Sequence, residues 1–265
     1  MITLYCNTNA QGSQAFASIG FFGAVRINNS YPSAYNNVVE GLVITERKEK
    51  SSFVTYIYNA LMNDVVRVGG KGELFFGEER TVLKLNLSPV LKKRLLSLIA
   101  EILGIGYKYE FLRENLQVAL SKREKKLLAA ALISADFEGD KSYILGKLPK
   151  SGEYALDGIY AFRLAPLREK WQHILSYIPR GFTSADLTQF CEFLVRESRH
   201  KIYLKDGAVF GENFTRLSRS RLMGEENPET EIILSDAGFV YCLGEVEGSL
   251  ADFLQKYFAE RAIFS

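Results

Sequence analysis

The chain has 265 residues, 47% of them apolar and 12% aromatic, enough to bury one large core or two ordinary ones, which excludes wholesale disorder. Lysines and arginines number 33 against 31 acids, so the formal net charge of +2 is too small to imply a polyanionic partner for the protein as a whole; any basic surface has to be local. The longest apolar run, Leu127 to Ile133, falls far short of the roughly 18 residues of a membrane span, and the start MITLYCNTNAQGS lacks the pattern of a secretory signal. With three distant cysteines, Cys6, Cys191 and Cys242, these features predict a soluble, cytoplasmic protein with reduced, buried thiols and no membrane partner.

Ile2 to Cys6 and Val38 to Thr45 read as strands, and FVTYIYNALMNDV as a helix whose Phe53, Ile57, Ala60 and Leu61 share a face. After the turn GGKG at 69–72, GELFFGEERTVLKLN predicts a hairpin at 73–86 that turns at Gly77, Glu78 and Glu79. Ser88-Pro89 starts a helix, since serine caps free N–H groups and proline in the first turn loses no hydrogen bond. Its apolar stripe runs from Val90 through Leu91, Leu95, Leu98, Ile99 and Ile102 to Gly104. Ser121 with Glu124 forms a capping box for SKREKKLLAAALISADF, whose basic residues face solvent.

A further amphipathic helix starts at Thr183 or Ser184 and carries Leu187, Phe190, Cys191, Leu194 and Val195 towards Arg199. KIYLKDGAVF predicts a hairpin at 201–210 through Asp206-Gly207, and EIILSDAGFVYCL a second one at 231–243 through SDAG, before a last helix from about Ser249 to Arg261. The expected fold is α+β: a small α/β N-terminal domain over 1–87 and a helical domain over 88–265 with C-terminal hairpins.

No complete frame for catalysis or cofactor binding occurs. The two histidines lie 27 positions apart and no cysteines are paired, which argues against a His/Cys metal site. GGKGE lacks the spacing of a phosphate-binding loop, and no G-x-S-x-G elbow is present. Asp136, Glu138 and Asp140 in ADFEGD could offer oxygens to a divalent cation; we read them instead as the polar end or kink of a helix around Gly139. No cofactor is expected, and the protein is read as non-enzymatic.

Two stretches hold candidate functional residues. Between Arg196 and Met223 seven Lys/Arg stand against three acids with aromatics interleaved, a composition suited to phosphates and exposed bases. Arg199, Lys201, Arg216, Arg219 and Arg221 are the candidate nucleic-acid contacts. The alternative is internal neutralisation by Glu225, Glu226, Glu229 and Glu231. In LDGIYAFRLAPLREKWQHI, the residues Tyr160, Leu164, Leu167, Trp171, Ile174 or Leu175, and Ile178 mark one buried helical face that Pro166 must break. Trp171, the only tryptophan, belongs to the core, His173 to another face, and Arg163 to the border, where its guanidinium reaches either water or a carboxylate, with Asp157, Glu153 and more distant acids as candidate partners.

Asp157, Gly158, Tyr160, Phe162, Arg163 and Leu164 form an acidic residue and Gly before an aromatic-x-F-R-L stretch. This motif, within 154–171, resembles the conserved part of the YtxC-like sporulation proteins of endospore-forming bacteria; the first ninety residues and the tail beyond Lys205 show no such likeness. The resemblance implies a sporulation-associated, cytoplasmic bacterial protein without known catalytic activity, acting through protein contacts. Nucleic-acid binding by 196–221 is the alternative.

Overall fold

Side-chain capping sets the start of several helices in the computed structural model, which describes residues 5–6, 40–150, 152–246 and 248–264. The chain divides into two compact units, residues 1–93 and 94–265. The architecture is α+β.

The N-terminal unit orders its strands β1-β3-β4-β2, with β1 at Tyr5–Cys6, β2 at Glu40–Arg47, β3 at Gly72–Phe76 and β4 at Arg80–Leu87. Residues 2–4 and 38–39 of the two expected strands lie outside the described residues. β3 and β4 form the expected antiparallel hairpin, and β4 also pairs antiparallel with β2 along its whole length. Helix α1 (Ser51–Arg67) buries Phe53, Ile57 and Leu61, while Ala60 is only half-buried. Leu42, Ile44, Leu74, Leu83 and Leu85 complete this core, because alternate residues of a strand face one side.

Helix α2 (Pro89–Glu101) starts where Ser88 Oγ accepts the N–H of Leu91 at 3.5 Å, and the division between the units falls within it. The apolar stripe was expected to run to Gly104, and the helical path continues past it. A π-helical stretch, Ile102–Tyr107, carries the chain into α3 (Lys108–Asn115). Gly104 is buried there, where an added Cβ would lie 3.4 Å from Ile144, so this glycine marks close packing rather than a helix end.

α4 (Lys122–Lys147) is the long central helix of the C-terminal unit and packs on α3 and on α7 and α8, given below. Both hydrogen bonds of the Ser121–Glu124 capping box are present. The helix does not end at Gly139: α4 runs eight residues further, with Asp136 and Asp140 one turn apart in its interior. After β5 (Glu153–Ala155) a short turn, α5 (Leu156–Gly158), leads into a second π-helical stretch, Ile159–Arg163. The break then comes at Leu164, and α6 (Ala165–Ser176) begins with Pro166 in its first turn, as the proline requires.

α7 (Ser184–Glu197) carries the Thr183–Asp186 capping box and buries Leu187, Cys191 and Val195. β6 (His200–Lys205) and β7 (Ala208–Phe210) form the expected hairpin. Asp206 and Gly207 take φ of 51° and 72°, the left-handed pair that matches a hairpin's twist.

The hairpin expected at 231–243 is not formed. Asn227 accepts the N–H of Thr230 and Pro228 fills the first turn, so Pro228–Leu234 becomes helix α8, and only Ala237–Cys242 is a strand, β8. β8 pairs parallel with β6, and β9 (Ala262–Phe264) pairs parallel with β8 after helix α9 (Gly248–Tyr257). Parallel neighbours need such crossovers, and the sheet order is β7-β6-β8-β9.

Candidate functional site

The helical unit gathers its charges where the two π-helical stretches meet α4. The first stretch delivers Lys108 as the opening residue of α3, and the second precedes the helix that carries Lys170 and Trp171. Tyr107 and Tyr160, one from each stretch, meet with ring centroids 4.7 Å apart and planes tilted by 38°. A π-turn adds a residue per turn and re-aims every side chain beyond it. Lys108 is consequently 1% exposed, with its ammonium inside the unit.

Asp140, itself 1% exposed, receives it. Its Oδ2 accepts Lys108 Nζ at 2.7 Å and the indole N–H of Trp171 at 2.8 Å, while Oδ1 accepts Lys170 Nζ at 2.9 Å. Asp136, one turn earlier, lies 3.3 Å from Lys170 and 3.9 Å from Lys108, so two carboxylates balance two ammoniums. Burial alone would raise the Asp140 carboxyl, but Lys108, Lys170 and Trp171 outweigh it and hold its pKa below the usual carboxylate value. On Lys108 burial is the larger influence, and its ammonium titrates below the usual lysine range. Both Asp140 oxygens are occupied by protein donors, while Lys170 and Asp136 also reach solvent. Glu138, exposed, points away from it, and among the described residues no group of three or more His, Cys, Asp or Glu is placed to hold a metal ion.

Trp171 is therefore in the core, 0% exposed, against Phe111 and beneath Lys108. His173 is exposed and meets the hydroxyl of Tyr177 at 2.9 Å. Asp157 is half-buried on α5. Arg163 is exposed and takes neither Asp157 nor Glu153; its Nη1 donates to the carbonyl of Lys147 at 3.1 Å, the last residue of α4. A guanidinium at a helix C-terminus satisfies a free carbonyl and complements the negative end of the helix dipole. From the other side Arg168 Nη2 donates to the carbonyl of Ala161 at 2.8 Å and its guanidinium lies over the ring of Tyr160. The π-turn is thus stapled by two arginines and anchored by buried Ile159 and Leu164, yet Phe162 between them is 85% exposed.

The basic stretch is dispersed. Arg216 and Arg221 both pair with Glu226. Arg219 packs its guanidinium 5.2 Å from the Phe137 ring centroid and lies 3.9 Å from Glu101. Arg199 and Lys201 are exposed on or beside β6, the latter's backbone N–H donating to Glu212 at 3.1 Å. Of the four glutamates that follow, only Glu226 neutralises this stretch. Glu225 pairs with Lys126, Glu229 takes Arg123 through both oxygens, and Glu231 accepts the backbone N–H groups of Arg219 and Ser220.

Sequence reading placed Trp171 in the core but missed Lys108 and Lys170. Their partners lie 32 and 30 positions away, and no local spacing signals them. Cys191 is a free, buried thiol that burial pushes up to about 12, and Cys242 is buried as well. Among the described residues no helix is long and apolar enough to cross a membrane. No family model, curated protein or solved structure matches the chain.

Proposed function

We propose that this is a non-enzymatic, sporulation-associated bacterial protein that works through protein contacts, with Phe162 as the anchor. One observation carries the reading. A phenylalanine 85% exposed sits on a π-turn fixed by Arg163 and Arg168. Exposing a phenyl ring forfeits on the order of 2 kcal/mol of burial, and π-turns cluster at functional positions. A rigidly presented aromatic is the usual centre of a protein–protein contact, since little side-chain entropy is lost when it is covered. The resemblance to YtxC-like sporulation proteins rests on the same residues, Asp157 to Leu164, and supplies the sporulation setting and the cytoplasmic location.

Occupation of both Asp140 oxygens by protein donors supports the non-enzymatic part, because the one buried carboxylate of this cluster is already engaged. Nucleic-acid binding is the weaker reading: Arg216 and Arg221 share one carboxylate and Arg219 packs on Phe137, leaving fewer cations for phosphates. The test is complementation in an endospore-forming host that lacks the gene. The intact chain should restore spore yield, and a Phe162→Ser variant of equal abundance and equal Trp171 fluorescence should not. A deletion that leaves spore yield unchanged, or a variant that complements fully, overturns the proposal.

A further inference from the structure

A cleft of about 310 Å³ lies between α3 and the first turns of α4, at the small end of the roughly 300–1,000 Å³ range of ligand sites. Its apolar surface comes from Leu116, Leu120, Ala129 and the ring of Tyr109. Leu120 and Ala129 are buried, and Leu116 and Tyr109 half-buried. Arg113, Lys122, Lys125 and Lys126 complete the lining, and no acid is among the lining residues. The adjoining Glu225 engages Lys126 at 2.9 Å. Its pKa is lowered by Lys126 first and by Lys122 more weakly. Neither Lys122 nor Lys125 forms an ion pair among the described residues, and Arg113 rests 6.0 Å from the Tyr109 ring centroid. Burial keeps the Tyr109 phenol protonated beyond its ordinary range, leaving it a hydrogen-bond donor.

We infer that this cleft binds a small amphiphilic anion: one carboxylate head at the lysines with a short alkyl or aryl body over Leu116 and Leu120. Each half of the lining excludes a simpler occupant. A bare inorganic anion would neutralise the cations but leave the apolar floor wet, and a neutral hydrophobe would cover the floor but desolvate unpaired ammoniums. Four cations against one adjoining carboxylate set the sign of the head, and the floor sets the character of the body. The site is separate from the Phe162 turn and does not depend on the function proposed above.

Calorimetric titration of the full chain at low salt tests it with four probes: octanoate, 1-octanol, inorganic phosphate and hexaglutamate. Octanoate should bind at least about tenfold more tightly than 1-octanol or phosphate, and more weakly as salt rises. The double variant Lys122→Glu/Lys125→Glu, both exposed positions, should lose about tenfold in octanoate affinity while its Trp171 emission stays as in the parent. Leu116→Ser should weaken octanoate and leave phosphate unchanged. No heat with octanoate at millimolar concentration, equal binding of 1-octanol, or indifference to the charge reversal would overturn the inference. Hexaglutamate binding more tightly than octanoate would also overturn it, by assigning the cleft to acidic peptide.

Discussion

Removing the charge of Asp140 while keeping its shape, as in Asp140→Asn, should unfold the C-terminal unit at much lower denaturant concentration. In the parent, the Lys108 ammonium is 1% exposed and its nearest carboxylate oxygen is Asp140 Oδ2 at 2.7 Å. Asp136 lies at 3.9 Å and is itself engaged by Lys170 at 3.3 Å, so it compensates only in part. Leaving one buried partner uncompensated costs about 3–5 kcal/mol. The asparagine retains a carbonyl for the indole of Trp171, so that hydrogen bond adds little to the loss. With a urea slope of about 2 kcal/mol/M, a cost of about 4 kcal/mol lowers the midpoint by about 2 M. Trp171 is the only tryptophan and contacts Asp140 directly, so its emission reports on the unit in question. Lys108→Met should cost less, because Asp140 keeps Lys170 and Trp171, and the two losses should be far from additive in the double variant. A midpoint for Asp140→Asn within about 0.3 M of the parent would refute the description of a coupled buried network.

Three further outcomes are expected. Because the folded Asp140 carboxyl has a pKa below its unfolded value of about 3.9, its contribution is fully present above that value and is lost as pH falls through the folded pKa. Urea midpoints at pH 7 and pH 3 should therefore differ more for the parent than for Asp140→Asn. Gly238→Ala would place a methyl group 2.1 Å from the backbone oxygen of Ser198, where β8 meets the start of β6, so the parallel pairing must shift. A loss of about 3 kcal/mol or more is expected in thermal or urea melts. Cys191, buried and with its thiol raised to about 12, should resist alkylation by iodoacetamide at pH 8 in the folded state and react only on unfolding; reaction at the rate of a free thiol would show the α7 core to be open.

The elements legible in the sequence were those fixed by chemistry within four residues. Ser121 with Glu124 and Asp206-Gly207 each satisfy or orient the backbone locally and stand where they were expected, and the start left open between Thr183 and Ser184 falls at Thr183, capped with Asp186. Pro166 likewise broke the helix beside Leu164. The segment 231–243 misled because residues 229–234 of α8 are all buried, which erases the 3.6-residue alternation, while the Asn227-Pro228 start signal stood outside the apolar run. Gly104, where the apolar stripe read from the sequence ran out, admits Ile144 and Phe137 against a π-helical backbone. The candidate site was half legible. Helical spacing placed Trp171 in the core, but what Asp140 does depends on Lys108 and Lys170, brought together by two π-turns that no sequence period announces. For Arg163, read as reaching water or a carboxylate, the partner is a helix-end carbonyl, a contact that follows from where α4 ends.

The central claim, that Phe162 is a protein-contact anchor, is tested most directly by placing a photo-crosslinking phenylalanine analogue at position 162 in sporulating cells, with the exposed Glu169 as the control position. The account predicts one discrete adduct with a second protein from position 162 and none from 169. No adduct from either position, or the same set of adducts from both, would contradict it.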